Sequence, residues 1–264
     1  MKTESKKTEG ARSVYRALEL LDLIARHQTD GISLPELVAI TTLDRTTVYR
    51  LLSTLESEHL VERDTNTRRY FLGMESMQIG LSTMSRAPIL DEYVPMMKAL
   101  AHESQDTVFL VVRNGDYAQC LHLEQGSFPI RTVTQHVGGL RLLGLGTGGR
   151  AILATLPDKE IEDLQHRHQT EYAEHGLAGD NLWKVVEAIR RNGHAQTVDI
   201  ITPGVSGIGV AFELFYGGHA AVSVVAISDR MPADRQAKLL LHIRKLLSNQ
   251  GLTRTTVDTP SSSK

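Results

Sequence analysis

The chain has 264 residues, 41% of them hydrophobic and 23% charged, with a formal net charge of −2. This is ordinary globular composition with material for one large domain or two ordinary ones, so a wholly disordered chain is excluded. No global basic excess advertises nucleic acid. One cysteine, Cys120, leaves no intramolecular disulfide and no Cys-based zinc ribbon, and is expected to be a small buried hydrophobe. The opening, MKTESKKTEGAR, is polar and lacks the apolar stretch of a secretory signal. The longest apolar run, Ala220 to Ile227, is too short to span a bilayer. The expectation is a cytoplasmic protein with no membrane partner.

In chain order, residues 1–12 are charged and small and read as a disordered arm. Val14, Leu18, Leu21 and Ile24 recur at helical spacing from Ser13 to Arg26. Ser33-Leu-Pro-Glu36 is an N-cap, a first-turn proline and a capping-box glutamate, which starts a second helix running to about Ile40. After the polar break Thr41-Thr-Leu-Asp44, a third helix is predicted from Arg45 to about Glu58, with Val48, Leu51, Leu52 and Leu55 on one face. Leu60–Arg63 and Arg69–Leu72 read as short strands around a turn, Asp64 to Arg68. Residues 13–73 thus form one unit of three helices and a hairpin.

Residues 74–87 read as a linker helix, with Met74, Met77, Ile79, Leu81 and Met84 along it. A second domain is expected over 88–250, beginning at Pro88, with a tail over 251–264 expected to be disordered. Pro95 predicts a kink or a late start in its first helix. Thr107–Arg113 and Tyr117–Glu124 read as strands joined at Asn114-Gly115, a hairpin signal. Another strand is predicted over Ile130–Thr134, then a glycine-rich loop from Gly138 to Gly149 and a helix from about Gly149 to Thr155. Residues 158–170 and 180–192 read as helices. His194–Val198, Val205–Leu214 and His219–Ile227 read as strands, with Tyr216-Gly-Gly218 as the last turn, and Ala233–Leu247 as a closing helix.

The third helix carries the chemistry of DNA recognition. A helix-turn-helix sets its second helix in the major groove, holds it by one apolar face and presents donors from the other. Arg45, Thr46, Thr47, Tyr49 and Arg50 cluster at the start of this helix, Ser33 stands at the start of the preceding one, and Arg63, Arg68 and Arg69 fall on the hairpin. Residues 1–80 hold eleven Lys or Arg against twelve Asp or Glu, so the unit is not basic overall. Local placement of arginines decides phosphate contact more than the sum does. A protein-interaction module with solvated arginines is the competing reading.

Taken in order, Ser13-Val-Tyr-Arg-Ala-Leu-Glu-Leu-Leu, Ser33-Leu-Pro-Glu-Leu, Arg45-Thr-Thr-Val-Tyr-Arg-Leu-Leu-Ser-Thr-Leu-Glu56, Leu60-Val-Glu-Arg-Asp64 and Arg69-Tyr-Phe-Leu-Gly73 resemble the DNA-binding half of the IclR family of bacterial regulators. Ala87-Pro-Ile-Leu, Thr107-Val-Phe-Leu, Gly144-Leu-Gly-Thr-Gly-Gly-Arg-Ala-Ile-Leu-Ala154 and Pro203-Gly-Val-Ser-Gly-Ile-Gly-Val-Ala211 resemble landmarks of its second half, so the likeness covers about 11–248. The resemblance implies an α+β protein: an N-terminal winged helix-turn-helix, a linker helix, and a GAF-like effector domain with a curved antiparallel sheet flanked by helices. It implies a transcription regulator rather than an enzyme, with no cofactor. The expected partners are a pseudo-palindromic double-stranded DNA operator, a small-molecule effector, and a second copy as dimer or tetramer. It nominates Leu143, Gly144, Thr147, Gly148, Val205, Ser206, Gly207 and Ser223 for the effector.

Many members carry a histidine where this chain has Leu143-Gly144, and some carry Cys and Ser at the positions of Gly207 and Val225. These departures imply a less polar pocket and an aromatic or medium-chain carboxylate, held by backbone N–H groups near Gly149, or by Arg131 or Arg150.

Other motifs fail on context. Gly144-x-Gly146-x-x-Gly149 fits a dinucleotide fingerprint but lacks the parallel βαβ unit it needs, and no Lys-Ser or Lys-Thr makes it a P-loop. Gly204-Val-Ser206-Gly-Ile208 lacks the last glycine of a nucleophile elbow. The eleven histidines are scattered, with His166 and His168 on different faces, so no metal site is expected. A metabolite-converting enzyme and a protein-binding adaptor on the same two units remain the alternatives.

Overall fold

The computed structural model describes residues 11–86, 89–132, 134–215 and 217–249, and the chain divides into two compact units, Met1–Pro88 and Ile89–Lys264. The expected arm over 1–12 falls almost wholly outside the described residues, as do the tail over 251–264, the Ala87-Pro88 landmark and Tyr216 of the last turn.

In the first unit, α1 (Arg12–Arg26) buries Leu20 and Ile24, while Val14 and Leu18 stay exposed. α2 (Leu34–Thr41) begins on a complete capping box: the Ser33 hydroxyl accepts from the Glu36 N–H, and the Glu36 carboxylate accepts from the Ser33 N–H at 2.7 Å. A cap of this kind contributes about 1 kcal/mol. α3 (Arg45–Ser57) buries Val48, Leu51, Leu52 and Leu55, the face its spacing predicts. These close a core with Leu20, Ile24, Leu37, Val61 and Tyr70.

β1 (Val61–Arg63) and β2 (Tyr70–Leu72) pair antiparallel with Val61 opposite Leu72, and Ile32 adds a bridge to Tyr70. α4 (Met74–Arg86) leaves directly from β2 through Gly73. A Cβ on Gly73 would stand 2.3 Å from the His59 carbonyl oxygen, so only glycine allows this sharp exit. The Ser76 hydroxyl donates to the Leu60 carbonyl and ties the start of α4 to the hairpin. Met74 and Met77 are exposed on it.

The second unit is a six-stranded antiparallel sheet between two helical layers. It runs β5 (Leu140–Leu142), β4 (Tyr117–Glu124), β3 (Thr107–Asn114), β8 (His219–Ile227), β7 (Val205–Glu213), β6 (Ala195–Val198) in spatial order. One face carries Val108, Leu110, Ile208, Val210, Val222 and Val224 against Met97 and Leu100 of α5 (Ile89–Ser104) and Leu239 and Ile243 of α10 (Ala233–Asn249). The other carries Phe109, Val111, Ala118, Cys120, Ala211 and Ala221. It is covered by α6 (Thr147–Leu153), α7 (Asp158–Arg167), α8 (Gln169–Glu174) and α9 (Asp180–Asn192), with Leu153, Ile161, Tyr172, Leu182 and Val186. Strand alternation thus divides two cores through one sheet. Cys120 is fully buried in the second, which pushes its thiol up to about 11.

Four expectations are corrected. Pro95 does not delay α5, which starts at Ile89 and runs through it; Pro95 is exposed, and so is Asp91, whose carbonyl loses its helical donor and can take water instead. The strand predicted over Ile130–Thr134 does not form among its described residues. That segment is instead pinned from the side, with the Thr132 hydroxyl donating to the Val225 carbonyl at 3.2 Å. The strand that pairs with β4 is β5, within the stretch expected to be glycine-rich loop. At the β3–β4 turn Asn114 still pairs with Tyr117, so the two turn residues are Gly115 and Asp116, and Gly115 takes the positive φ of +59°.

Candidate DNA interface and effector pocket

The turn between α2 and α3 is short and fully determined. Thr42 takes a left-handed φ of 57°, and Asp44 caps α3 by accepting from the Thr47 N–H at 2.8 Å and the Thr47 hydroxyl at 2.6 Å. Those bonds, the hydroxyl's first, hold the Asp44 carboxyl below the usual carboxylate range. With the apolar face of α3 inward, Arg45, Thr46, Tyr49 and Arg50 form one exposed stripe. Neither Arg45 nor Arg50 has an ion pair among the described residues. This is the arrangement that major-groove reading requires: unspent donors on a rigidly seated helix.

The nine nominated DNA contacts divide on this geometry. Arg45, Thr46, Tyr49, Arg50 and Arg68 present free faces. Ser33 and Thr47 are occupied in the two caps. Arg63 lies with its guanidinium 5.3 Å from the Tyr70 ring centroid and donates to the Arg68 carbonyl. Arg69 is spent internally: it donates to the Gly31 carbonyl at 2.8 Å and to both Glu36 carboxylate oxygens at 3.2 and 3.4 Å. It fastens the hairpin to the start of α2. The hairpin tip is ordered by Asp64, whose carboxylate accepts from the N–H groups of Asn66 and Thr67 and from the Thr67 hydroxyl.

In the second unit, the start of α6 lies on the sheet over the smallest residues of β7 and β8. A Cβ on Gly148 would stand 2.6 Å from Val111 Cγ2, and one on Gly207 would stand 2.3 Å from the Thr147 hydroxyl. Glycine at both positions lets the helix seat this closely. Beside it opens a pocket with about 580 Å³ of empty space, counting its mouth. Phe109, Val111, Ala118 and Val225 form its apolar floor, and Ile200, Ile201 and Val205 one side. Gly146 to Gly149 lead into α6 along another side, and Thr134, Gln135 and Arg141 make a polar rim. The Thr147 and Thr197 hydroxyls share a hydrogen bond of 2.6 Å in its wall. Ser223 is 3% exposed and lines the pocket, and its hydroxyl has no hydrogen bond among the described residues.

Of the eight nominated effector residues, Thr147, Gly148, Val205 and Ser223 line this pocket. Leu143 and Gly144 do not. The Leu143 side chain is in the core and its carbonyl accepts from the Tyr172 hydroxyl, while the Gly144 carbonyl accepts from Arg150 Nε. Ser206 points through the opposite face of the sheet to the Ser228 hydroxyl, 2.9 Å away. Gly207 lies beneath Thr147 rather than on the wall, so the hydroxyl of Thr147 occupies the space a larger residue would fill. Arg131 and Arg150, nominated for a carboxylate, are absent from the lining: Arg131 is exposed, and Arg150, on α6 itself, is buried with its Nε on the Gly144 carbonyl. Sequence reasoning missed Arg141, which sits on β5, the strand it also missed.

A winged helix-turn-helix whose exposed reading face has no ion pair at Arg45 or Arg50 among the described residues, carried with an α+β unit, defines the class of DNA-binding transcription regulators. Comparison with known proteins agrees. The family model described as the bacterial transcriptional regulator IclR C-terminal domain matches residues 81–249, and the IclR helix-turn-helix model matches residues 13–65. The chain belongs to the IclR family and is a DNA-binding transcription regulator.

It is 27% identical over 229 residues to the HTH-type transcriptional regulator KipR of Bacillus subtilis, covering 85% of this chain and 89% of that one. It is 26% identical over 242 residues to the regulator TtgV of Pseudomonas putida, covering 91% and 89%. It is 28% identical over 168 residues to the transcriptional repressor IclR of Escherichia coli, covering 61% and 58%. These relatives are named as regulators, not enzymes. In fold it is similar to the IclR regulator of Alicyclobacillus acidocaldarius, with a TM-score of 0.76 at 20% identity over 90% of this chain and 96% of that one. No helix among the described residues is long and apolar enough to cross a membrane.

Proposed function

We propose that operator binding by this regulator is controlled by a small organic-acid or aromatic metabolite held in the pocket beside α6. The observation that carries this reading is the pocket itself: an apolar floor lined also by Ser223, whose hydroxyl has no hydrogen bond among the described residues. A hydroxyl left open beside an apolar floor offers a bound polar group a hydrogen bond. Thr147, Gly148, Val205 and Ser223 are its contacts, and Leu143, Gly144, Ser206 and Gly207 support the wall from behind.

The protein acts in the cytoplasm as a homodimer, or as a tetramer made of two dimers. Two copies set their α3 helices about 34 Å apart on a pseudo-palindrome. α4, with Met74 and Met77 exposed, is the dimer and coupling element. The metabolite shifts the population between arrangements of the paired α3 helices. The test is a gel shift of the full chain on DNA flanking its own gene, with and without a metabolite panel. A retarded band that one metabolite class weakens or strengthens supports the reading. A band that no metabolite changes counts against effector control, and no band at low salt counts against this operator.

A further inference from the structure

The pocket lining carries one full charge, and no acid among the described residues pairs with it. Among its lining residues Arg141 is the only cation, and none is an acid. Arg141 is half-buried and has no acidic partner among the described residues. One arm of its guanidinium is held: Nη2 donates to the Thr134 carbonyl at 2.6 Å. The other lies over the entry to α6, where Nη1 is 3.1 Å from the point a Cβ on Gly146 would occupy. Ser223 of β8 faces the same helix start two residues further along, its hydroxyl 3.8 Å from the corresponding point on Gly148. Burial lowers the pKa of this arginine, which expresses the cost of keeping its charge away from water. An arginine so placed, with its planar fork fixed by one carbonyl and its second edge open to a cavity, is preorganised for a carboxylate.

We infer that the effector is an organic monocarboxylate with an apolar body, its carboxylate held by Arg141 and its body lying on Phe109, Val111 and Val225 within reach of the Ser223 hydroxyl. This rests on the pocket assignment above and adds the chemical class and the residue that selects it. One cation and no second positive group favour a single carboxylate over a dicarboxylate. The Nη2 bond to Thr134 makes the rim segment part of the anion site, so the charge on the ligand and the placement of residues 134–139 are linked through one side chain.

The test uses the full chain and matched probe pairs: benzoate, 4-hydroxybenzoate, phenylacetate and hexanoate, each against its carboxamide. Binding is read by titration calorimetry. At least one acid binds, and its carboxamide, equal in shape but neutral, binds about ten- to a hundredfold more weakly, as expected for a charged hydrogen bond. Arg141→Gln removes that preference and Arg141→Lys keeps part of it. Equal binding of acid and amide, an Arg141→Gln variant with the preference intact, or binding of none of the acids overturns the inference. Val205→Trp, which fills the mouth from a half-buried position, separates the two levels. If it abolishes a binding that Arg141→Gln leaves unchanged, the pocket stands and the carboxylate inference falls. If it changes nothing, the pocket assignment itself fails.

Discussion

The exposed face of α3 and the pocket beside α6 are both polar sites, and they are built in opposite ways. On α3 the functional groups point to water and cost the fold little, because its inner face and the Asp44 cap already hold the helix. Beside α6 the site exists because side chains are missing: Gly148 and Gly207 let the helix seat, and polar groups such as Arg141 and Ser223 are carried into partly dry surroundings. A reading face of the first kind tolerates change in affinity without change in stability. A pocket of the second kind does not separate the two.

That contrast is sharpest at Gly148. Gly148→Ala puts a methyl within 2.6 Å of Val111 Cγ2, and overpacking of this kind costs about 1–3 kcal/mol. Urea unfolding of the variant should show the loss, whereas Arg45→Ala or Thr46→Ala should leave stability within about 0.5 kcal/mol. Equal losses would dissolve the contrast.

The hairpin offers a finer version within the first unit. Arg68 is exposed and without an ion pair, while Arg69 is bound to Glu36 and Gly31. Arg68→Ala should lower the salt dependence of operator binding by about one phosphate contact at unchanged stability. Arg69→Ala should instead cost stability, by up to about 1 kcal/mol for so accessible a pair, and leave the salt slope nearly as it was. Salt titrations and melting curves of the two variants check both.

The smallest effect concerns pH. Ser33's hydroxyl first and its N–H next hold Glu36 below its ordinary value of 4.5, and Thr47 holds Asp44 below 3.8. Depressed carboxylate values mean that the caps contribute fully above the ordinary range and lose their contribution as pH falls through the lower folded values. The melting temperature of the protein should therefore be flat from pH 7 to 5 in respect of these groups and fall below about pH 4. Ser33→Ala and Thr47→Ala should each blunt that fall.

Legibility in the sequence follows the same division. α3 and its inner face could be read because helical spacing and a cap signal are local, and β8 matched its expected span from His219 to Ile227 because a run of small and branched apolar residues between turns admits few readings. The pocket was half legible. Thr147, Gly148, Val205 and Ser223 came from the likeness to relatives, but Ser206 alternates to the other face of β7, and Leu143 and Gly144 lie in the turn between β5 and α6 with Leu143 in the core. β5 was missed because three residues among glycines carry no periodicity, and Arg141 was missed with it. Nor could sequence distinguish Arg68 from Arg69, since their difference lies in a contact with Glu36, which is 33 positions away from Arg69.

The central claim is that the stripe on α3 reads DNA. Fluorescence anisotropy of the full chain, wild type and Arg50→Ala, on its operator duplex and on a scrambled duplex at one fixed salt concentration tests it most directly. Arg50→Ala should weaken operator binding by about 1–3 kcal/mol and narrow the gap between operator and scrambled DNA, with melting temperature unchanged. Unaltered affinity and discrimination in the variant would contradict the account.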